Sequence, residues 1–471
     1  MTDHPPSPAG SPPGQPPPPG SPAEPRWSSP ELRQAGSTPL SDLEERIVEL
    51  ARASRDELVA LITELVALDT TARDPGDPAR DEARLQAVLG ARLRALGAEI
   101  DLWEPPPTGS GNRFVPDGLD FRGRPQLAAR LAGGGGGRSL LLNGHIDVVP
   151  PGPREDWSSD PWTVVERDGA LYGRGVNDMK GGLASQLFAL ELLARAGVRL
   201  RGDVVYCANT DEESSGAGSL ACVEHGVQAD GGLCGEPTGF DAWVTCRGTV
   251  MPTITVEGRA GHAEMPQPDW RAGGAVNAIE KATIVLGAAE ALRARWRERP
   301  DKRHWCLAPP DIVPTLIEGG VWMVTYPPRC QVTFDVQYLP SDVDAEGTGR
   351  SVEAELKDWI DAAAAQDDWL REHPLRWAWM EDIVPAELPP DHPLVGLTLD
   401  TAAALGRKGR PWGLDSWHDA AHFTRLGHTP TFSFGPDGFD TGHAADERVS
   451  VDALVDHCAA VALVALRWCG V

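Results

Sequence analysis

Apolar residues follow two rhythms along this 471-residue chain, and the switches between them outline its elements. A helical rhythm opens after Ser41, where Ser41-Asp42-Leu43-Glu44 has capping-box spacing. Ser54-Arg55-Asp56-Glu57 repeats that spacing ahead of Leu58, Leu61, Ile62 and Leu65, which share one helical face. A further helix is expected over 81–96 and a strand over 98–103. The five glycines at 133–137 lead straight into a strand at Leu140. With no Lys-Ser/Thr and no helix behind them, they read as a flexible turn and not a phosphate loop. Leu140-Leu141-Leu142 and Val204-Val205-Tyr206-Cys207-Ala208 are continuous apolar runs of strand length. That is the pattern of parallel strands buried on both faces. An apolar helix is expected between them, over 183–196.

The pattern changes after Arg247-Gly248. Strands are expected over 249–257, 315–322, 330–339 and 375–383, with helices over 273–299 (opening near Asn277) and 342–365. That order, β-α-β-β-α-β, is the split βαβ sandwich. Afterwards a helix over 391–405, a strand over 429–434 and a long helix over 450–467 return to the earlier style. The expected fold class is α/β: a mixed, largely parallel sheet flanked by helices, with a ferredoxin-like α+β domain inserted. The larger domain then comprises 41–247 and 386–471, and the inserted one 248–385.

Composition adds four constraints. Residues 1–40 hold 13 prolines among few apolar residues, which predicts a disordered tail. Against 43 basic residues stand 69 acidic ones, a net charge of −26 that disfavours nucleic acid and anionic membranes as partners. No apolar run approaches the ~18 residues of a spanning helix, and the N-terminus lacks a basic region followed by an apolar one. Eight cysteines without a Cys-x-x-Cys pair read as reduced, buried thiols of a cytoplasmic protein.

Chemistry concentrates at strand ends. Leu140–Leu142 runs into Asn143-Gly144-His145-Ile146-Asp147, and the carboxyl ends of parallel strands are where such sheets place function. His145 and Asp147 are two apart and share a side if the strand persists. A ligating imidazole fits there, with the carboxylate either holding the ring or ligating beside it. Asp178 sits in a Gly-rich loop before the apolar helix, where it could equally be an N-cap. Glu212 and Glu213 end the next strand and are followed by small residues, unlike a solvated charge run. Glu236 marks a third strand end, and His443 lies in the loop 440–447.

Four motifs occur in order: Gly144-His145-Ile146-Asp147-Val148-Val149-Pro150, Gly173-Arg174-Gly175-x-x-Asp178-Met179-Lys180-Gly181-Gly182, Asp211-Glu212-Glu213-x-x-Gly216 and Gly235-Glu236-Pro237-Thr238. In these the chain resembles the M20 family of zinc aminoacyl-hydrolases, which includes acetylornithine deacetylase, succinyl-diaminopimelate desuccinylase and carboxypeptidase G-type enzymes. The resemblance covers about residues 45–471 and implies a zinc-exopeptidase-like catalytic domain with a lid inserted in it. It also implies two Zn²⁺ per chain, with Co²⁺ able to substitute. His145 and Glu236 would hold one ion, Glu213 and His443 the other, and Asp178 both. Asp147 would orient the His145 ring. Glu212 would act as general base, and Glu213 alone would face the metal, because neighbours on an extended chain point apart. Gly258-Arg259-Ala260-Gly261-His262-Ala263-Glu264-Met265-Pro266 is similar to the family's lid motif, in which a histidine reaches the neighbouring subunit's site. His262 at that position implies a homodimer through the lid. The other nine of the 12 histidines, His418 and His422 among them, are structural or exposed by default.

Two departures bear on substrate. The family's Asp-x-Arg strand reads Asp335-Val336-Gln337 here, and glutamine cannot supply the charge that binds a substrate carboxylate. The Gly-Thr-Asp loop reads Gly413-Leu414-Asp415-Ser416-Trp417-His418-Asp419, with Asp419 at the family Asp and bulkier neighbours. The expected activity is removal of a small acyl group from an N-acyl amine or amino acid. A metallo-dipeptidase or carboxypeptidase is the alternative. A silent binding protein is disfavoured because every ligand and the base are present.

Overall fold

The computed structural model describes residues 39–72, 76–107 and 111–471, so the tail expected over 1–40 lies outside it but for Pro39 and Leu40. Helix Asp42–Ala53 opens on the expected capping box: Glu44 N–H donates to Ser41 Oγ at 3.4 Å and Ser41 N–H to Glu44 Oε2 at 2.8 Å. The second box does not form. Ser54 closes the first helix before helix Arg55–Val66 begins, at φ −99° and ψ 15°. That is not the extended conformation that aims an N-cap hydroxyl at the helix N–H groups.

A nine-stranded sheet carries the larger body. Its centre is four parallel strands in the spatial order Val204–Asn209, Leu140–His145, Gly232–Cys234 and Thr431–Ser433. Antiparallel strands Gln126–Leu131 and Glu99–Trp103 extend one side. On the other side lies Ala242–Cys246, flanked by Ala386–Glu387 and Pro411–Leu414. Side chains alternate across the sheet as the two-residue period requires. Leu140 and Leu142 enter the main core, whereas Leu141 joins Cys207, Cys222 and Phe423 on the opposite face. Helices Lys180–Arg195 and Val451–Cys469 pack together over the first face. Both are apolar almost all round because each is buried almost all round.

The second sheet is antiparallel, in the order Ile312–Gly319, Arg329–Tyr338, Gly248–Glu257, Arg376–Ile383. Helices Ala278–Glu298 and Arg350–Ala364 share a core with it. The helix expected over 342–365 starts only at Arg350, because Asp344 accepts from Thr348 N–H at 2.7 Å and holds a turn first. The strand expected over 315–322 runs over Ile312–Gly319 instead.

Two local details add to the expectations. The glycines at 133–137 form the expected turn, exposed but anchored to the chain beside it. Gly134 and Gly135 N–H donate at 2.8 Å to Leu200 and Arg201 carbonyls, and a Cβ on Gly137 would lie 1.9 Å from Cys469 O. Helices Ala217–Glu224 and Ala420–Arg425 were not foreseen, since short segments of small residues show no clear period. The eight cysteines are all free, and all but the half-buried Cys306 are buried. Among the described residues no helix is long and apolar enough to cross a membrane.

Candidate metal centre

Adjacent parallel strands end under one site. Leu140–His145 delivers His145 at its last position, and Val204–Asn209 runs into the turn bearing Glu212 and Glu213. Glu236 lies two residues beyond Gly232–Cys234, and His443 is in the loop after Thr431–Ser433. Asp178 comes from the loop just before helix Lys180–Arg195. That helix takes Met179 as its N-cap residue, with no side-chain cap bond, so Asp178 is not spent on capping. Gly144 permits the approach: a Cβ there would lie 2.7 Å from Met179 Cε.

The side chains converge in three overlapping groups, His145–Asp178–Glu236, Asp178–Glu213–His443 and His145–Glu212–Glu213, with ligand-type atoms within 4.8 Å of one another in each. His145 Nε2 stands 3.3 Å from Asp178 Oδ1, 3.7 Å from Glu236 Oε1 and 3.9 Å from Glu212 Oε2. His443 Nε2 is 3.1 Å from both Asp178 Oδ2 and Glu213 Oε2. Asp178 thus touches both imidazoles. All members are buried or nearly so except His443, whose side chain is 48% exposed and forms the solvent edge.

Two expected details differ. The His145 ring is held by Asp147, but through the backbone: Nδ1 lies 2.9 Å from Asp147 O and 3.7 Å from Oδ1. The strand has ended at His145, and the Asp147 carboxylate turns instead to accept from Glu212 and Glu213 N–H at 3.3 and 3.1 Å. Nor are the two glutamates on extended chain. They lie in a turn that starts at Asp211 (φ +72°), so both reach the cluster.

The electrostatics are set by burial and by the crowding of carboxylates around two imidazoles. Burial pushes the Glu212 and Glu236 carboxyls well above the usual range, and burial together with Asp178 raises Glu213 to about 7. Burial also opposes ionisation of Asp178, yet the His145 and His443 imidazoles hold it below its ordinary value. Hydrogen bonds to Asp178 and Glu213 raise His443 to about 10. His145 Nε2 and Glu213 Oε1 are buried without any hydrogen-bond partner. Orphaned nitrogen and oxygen donors amid like charges fit a divalent metal cation.

Further residues to which sequence reasoning assigned no role in the cluster, Asp419 apart, support it. Arg124, buried, donates to Asp211 at 2.7 Å and steadies the Asp-Glu-Glu turn. Asn143 Nδ2 donates to Asn209 Oδ1 at 2.8 Å, and Asn209 Nδ2 to Asp419 Oδ2 at 2.6 Å, a buried chain near the cluster. Burial pushes Asp419 up to about 6. Lys180 Nζ donates to Leu65 and Leu68 carbonyls at 3.1 and 2.8 Å, tying the loop to the end of helix Arg55–Val66. Glu447 binds the Asp178 turn; an acid four residues after His443 was its only signal.

Two sequence-singled residues lie outside the cluster. His262 is exposed on the smaller body, where Glu264 N–H donates to its Nδ1 at 3.3 Å. Gln337 accepts from Arg247 Nη1, and Arg247 Nη2 donates to Asp415 at 2.8 Å. Trp417 packs its ring against Gly216, at the end of the Asp-Glu-Glu turn, where a Cβ would lie 2.4 Å from it. His418 and His422 are buried, and burial lowers each to about 3.

Residues 141–467 match the family described as Peptidase family M20/M25/M40. An N-formyl-4-amino-5-aminomethyl-2-methylpyrimidine deformylase of Bacillus subtilis is 28% identical over 435 residues, 88% of this chain and 95% of that protein. A succinyl-diaminopimelate desuccinylase of Leptothrix cholodnii is 35% identical over 226 residues, 46% of this chain and 54% of that protein. Among solved structures, human carnosine dipeptidase 1 shares the fold with a TM-score of 0.66 at 16% identity, over 92% of this chain and 100% of that one. With the family's motifs folded into one buried donor cluster, this chain belongs to peptidase family M20/M25/M40 and is a metallohydrolase of amide bonds.

Proposed function

We propose that this chain is a dinuclear zinc deacylase that removes a small acyl group, formyl foremost, from a neutral aromatic or heterocyclic amine. The single observation that carries it is the cluster in which Asp178 touches both His145 and His443 while Glu212 stands beside them. In this reading His145 and Glu236 hold one Zn²⁺, Glu213 and His443 the second, and Asp178 both, a partition supported by two of the three groups. Zinc held there would polarise the amide carbonyl and bring the pKa of water down to about 7; Co²⁺ would serve in its place.

The chain's own groups do the rest. The Glu212 carboxylate takes a proton as water attacks the carbonyl carbon, then gives it to the departing amine nitrogen as the C–N bond breaks. Asp147 fixes the backbone that carries Glu212 and Glu213. The products are a small carboxylic acid and a free amine.

The substrate reading rests on Gln337. Its carbonyl is engaged by Arg247, and Arg247 is itself neutralised by Asp415. Arg271, another cation on the inserted domain, pairs with Asp368 at 3.0 Å. Of the cations that could replace the missing charge, Arg271 is thus paired and Arg329 stands exposed at the far end of the strand that carries Gln337, which favours an amine portion that lacks an α-carboxylate. The deformylase relative, whose named substrate is an N-formylated pyrimidine derivative, points the same way. Acyl-matched amides with and without the carboxylate are expected to be cleaved with the carboxylate-free one at least as good in kcat/KM. A preference above ~10²-fold for the carboxylate, worth about 2.7 kcal/mol, would sink the assignment. Dipeptides cleaved better than either would favour the peptidase alternative.

The working unit in this reading is a cytoplasmic homodimer through the smaller body. Edge strand Ile312–Gly319 and the turn after it leave Leu316, Ile317, Val321, Trp322 and Met323 between 58% and 87% exposed. An apolar, unpaired edge of this kind is suited to a second copy. His262, on that body, would then reach the partner's site and steady the oxygen that gains charge. Mixing His262→Ala with Glu212→Gln subunits is expected to restore activity that neither parent has, since one hybrid site keeps both groups. No recovery after proven subunit exchange would confine His262 to its own subunit or exclude it from the reaction.

A further inference from the structure

Glu447 is fully buried, and one turn of the chain engages both of its carboxylate oxygens. Oε2 accepts from Arg174 Nη1 at 2.6 Å and from Gly175 N–H at 3.0 Å. Oε1 accepts from Asn177 N–H at 2.8 Å and from Asp178 N–H at 3.0 Å. The main chain adds Gly173 N–H to Glu447 O at 3.0 Å. Two bonds reach other parts of the second loop: Arg174 Nη2 to His443 O at 3.4 Å and Asn177 Nδ2 to Gly438 O at 3.1 Å. Segments 173–178 and 438–447 are therefore one hydrogen-bonded unit, although Asp178 and Glu447 are 269 residues apart.

A buried carboxylate is retained at this cost in desolvation only where its acceptors are filled. A staple for the fold could draw donors from anywhere. Here all four side-chain partners come from Arg174 to Asp178, and the last is the N–H of Asp178 itself. Glu447 follows His443 by four residues, and His443 Nε2 lies 3.1 Å from Asp178 Oδ2. One carboxylate thus joins the turns that carry two ligand-type side chains brought from far apart in the chain.

We propose that Glu447 is a positioning residue of the metal centre, holding the Asp178 turn against the His443 turn so that both side chains meet one cation. This rests on the metal reading given above. Partners behind the ligands of a metal typically govern its affinity by about 10- to 100-fold.

The test titrates chelator-treated protein with Co²⁺, read by calorimetry and by the visible cobalt spectrum. Wild type, Glu447→Asp, Glu447→Gln and a remote control, Glu44→Gln, are compared. Glu44 is a buried carboxylate paired with Arg467 at 2.5 Å, away from the centre. Glu447→Asp keeps the charge opposite Arg174 but draws the carboxylate back by about 1.5 Å, one C–C bond, so it cannot reach all four donors. Both Glu447 variants are expected to bind at least one Co²⁺ about 10- to 100-fold more weakly and to shift the cobalt bands, while Glu447→Asp still melts cooperatively. Glu44→Gln should lower melting temperature and leave affinity and spectrum alone. Wild-type affinity and spectrum in Glu447→Asp would overturn the inference, as would failure of both Glu447 variants to fold, which makes the residue a fold staple. A wild type that takes up no Co²⁺ fails the metal reading itself.

Discussion

Glu212→Gln is expected to lower kcat by at least ~10²-fold, about 2.7 kcal/mol of barrier, with two metal ions still bound per chain. The substitution keeps the shape of the side chain and the Glu212 N–H bond to Asp147 Oδ1 at 3.3 Å. It removes only the ability to take a proton. The measurement also decides between two roles, because Glu212 belongs to one of the three donor groups, with its Oε2 3.9 Å from His145 Nε2. As a base, Glu212 is needed for turnover and dispensable for metal content. As a ligand, it would be needed for both, and elemental analysis of the variant would show ions lost along with activity. Near-normal kcat in a fully loaded variant would remove Glu212 from the mechanism.

Stripping metal from the protein should abolish hydrolysis, and Zn²⁺ or Co²⁺ should restore it as about two equivalents per chain are taken up. The cluster explains why the effect should reach beyond activity. Asp178, Glu212, Glu213 and Glu236 converge on two imidazoles in largely buried surroundings. Burial and neighbouring carboxylates raise Glu212, Glu213 and Glu236, so positive charge at the cluster would offset a cost the fold carries. Each ion that binds the native cluster and not the unfolded chain stabilises the fold by roughly 4 kcal/mol when free metal is a thousand times its Kd. Chelation should therefore lower the melting temperature as well as end turnover. Full activity in protein shown by elemental analysis to hold no transition metal would defeat the metal reading.

Local pattern was sufficient for the parts of this protein whose physics is local. A helix buried on one face must repeat apolar residues every three to four positions, and a strand buried on both faces must be apolar throughout. The helices Arg55–Val66 and Val451–Cys469, the strand Leu140–His145 and the β-α-β-β-α-β run were legible for that reason. The residues of the cluster were legible in part, because parallel strands present functional groups beyond their carboxyl ends, where His145, Glu212, Glu213 and Glu236 lie. Short elements such as Pro411–Leu414 and Ala420–Arg425 fall below the length at which a period can be read.

Tertiary structure alone decided what depends on partners distant in sequence. Glu447 clamps the Asp178 turn, Arg124 steadies Asp211, and Asp419 closes a chain through Asn209 to Asn143. Any buried carboxylate needs donors, but any backbone N–H or guanidinium can serve, so the sequence carries no mark of which one does. The same holds for Gln337: its identity was readable, but its engagement by Arg247, with Asp415 as counter-charge, exists only once the two bodies fold beside each other. Asp147 is the sharpest case. Its spacing from His145 placed both side chains together on a strand that, in the folded chain, has already ended. Residue types set which chemistry was available. The ends of the strands, fixed by long-range packing, set where each group points.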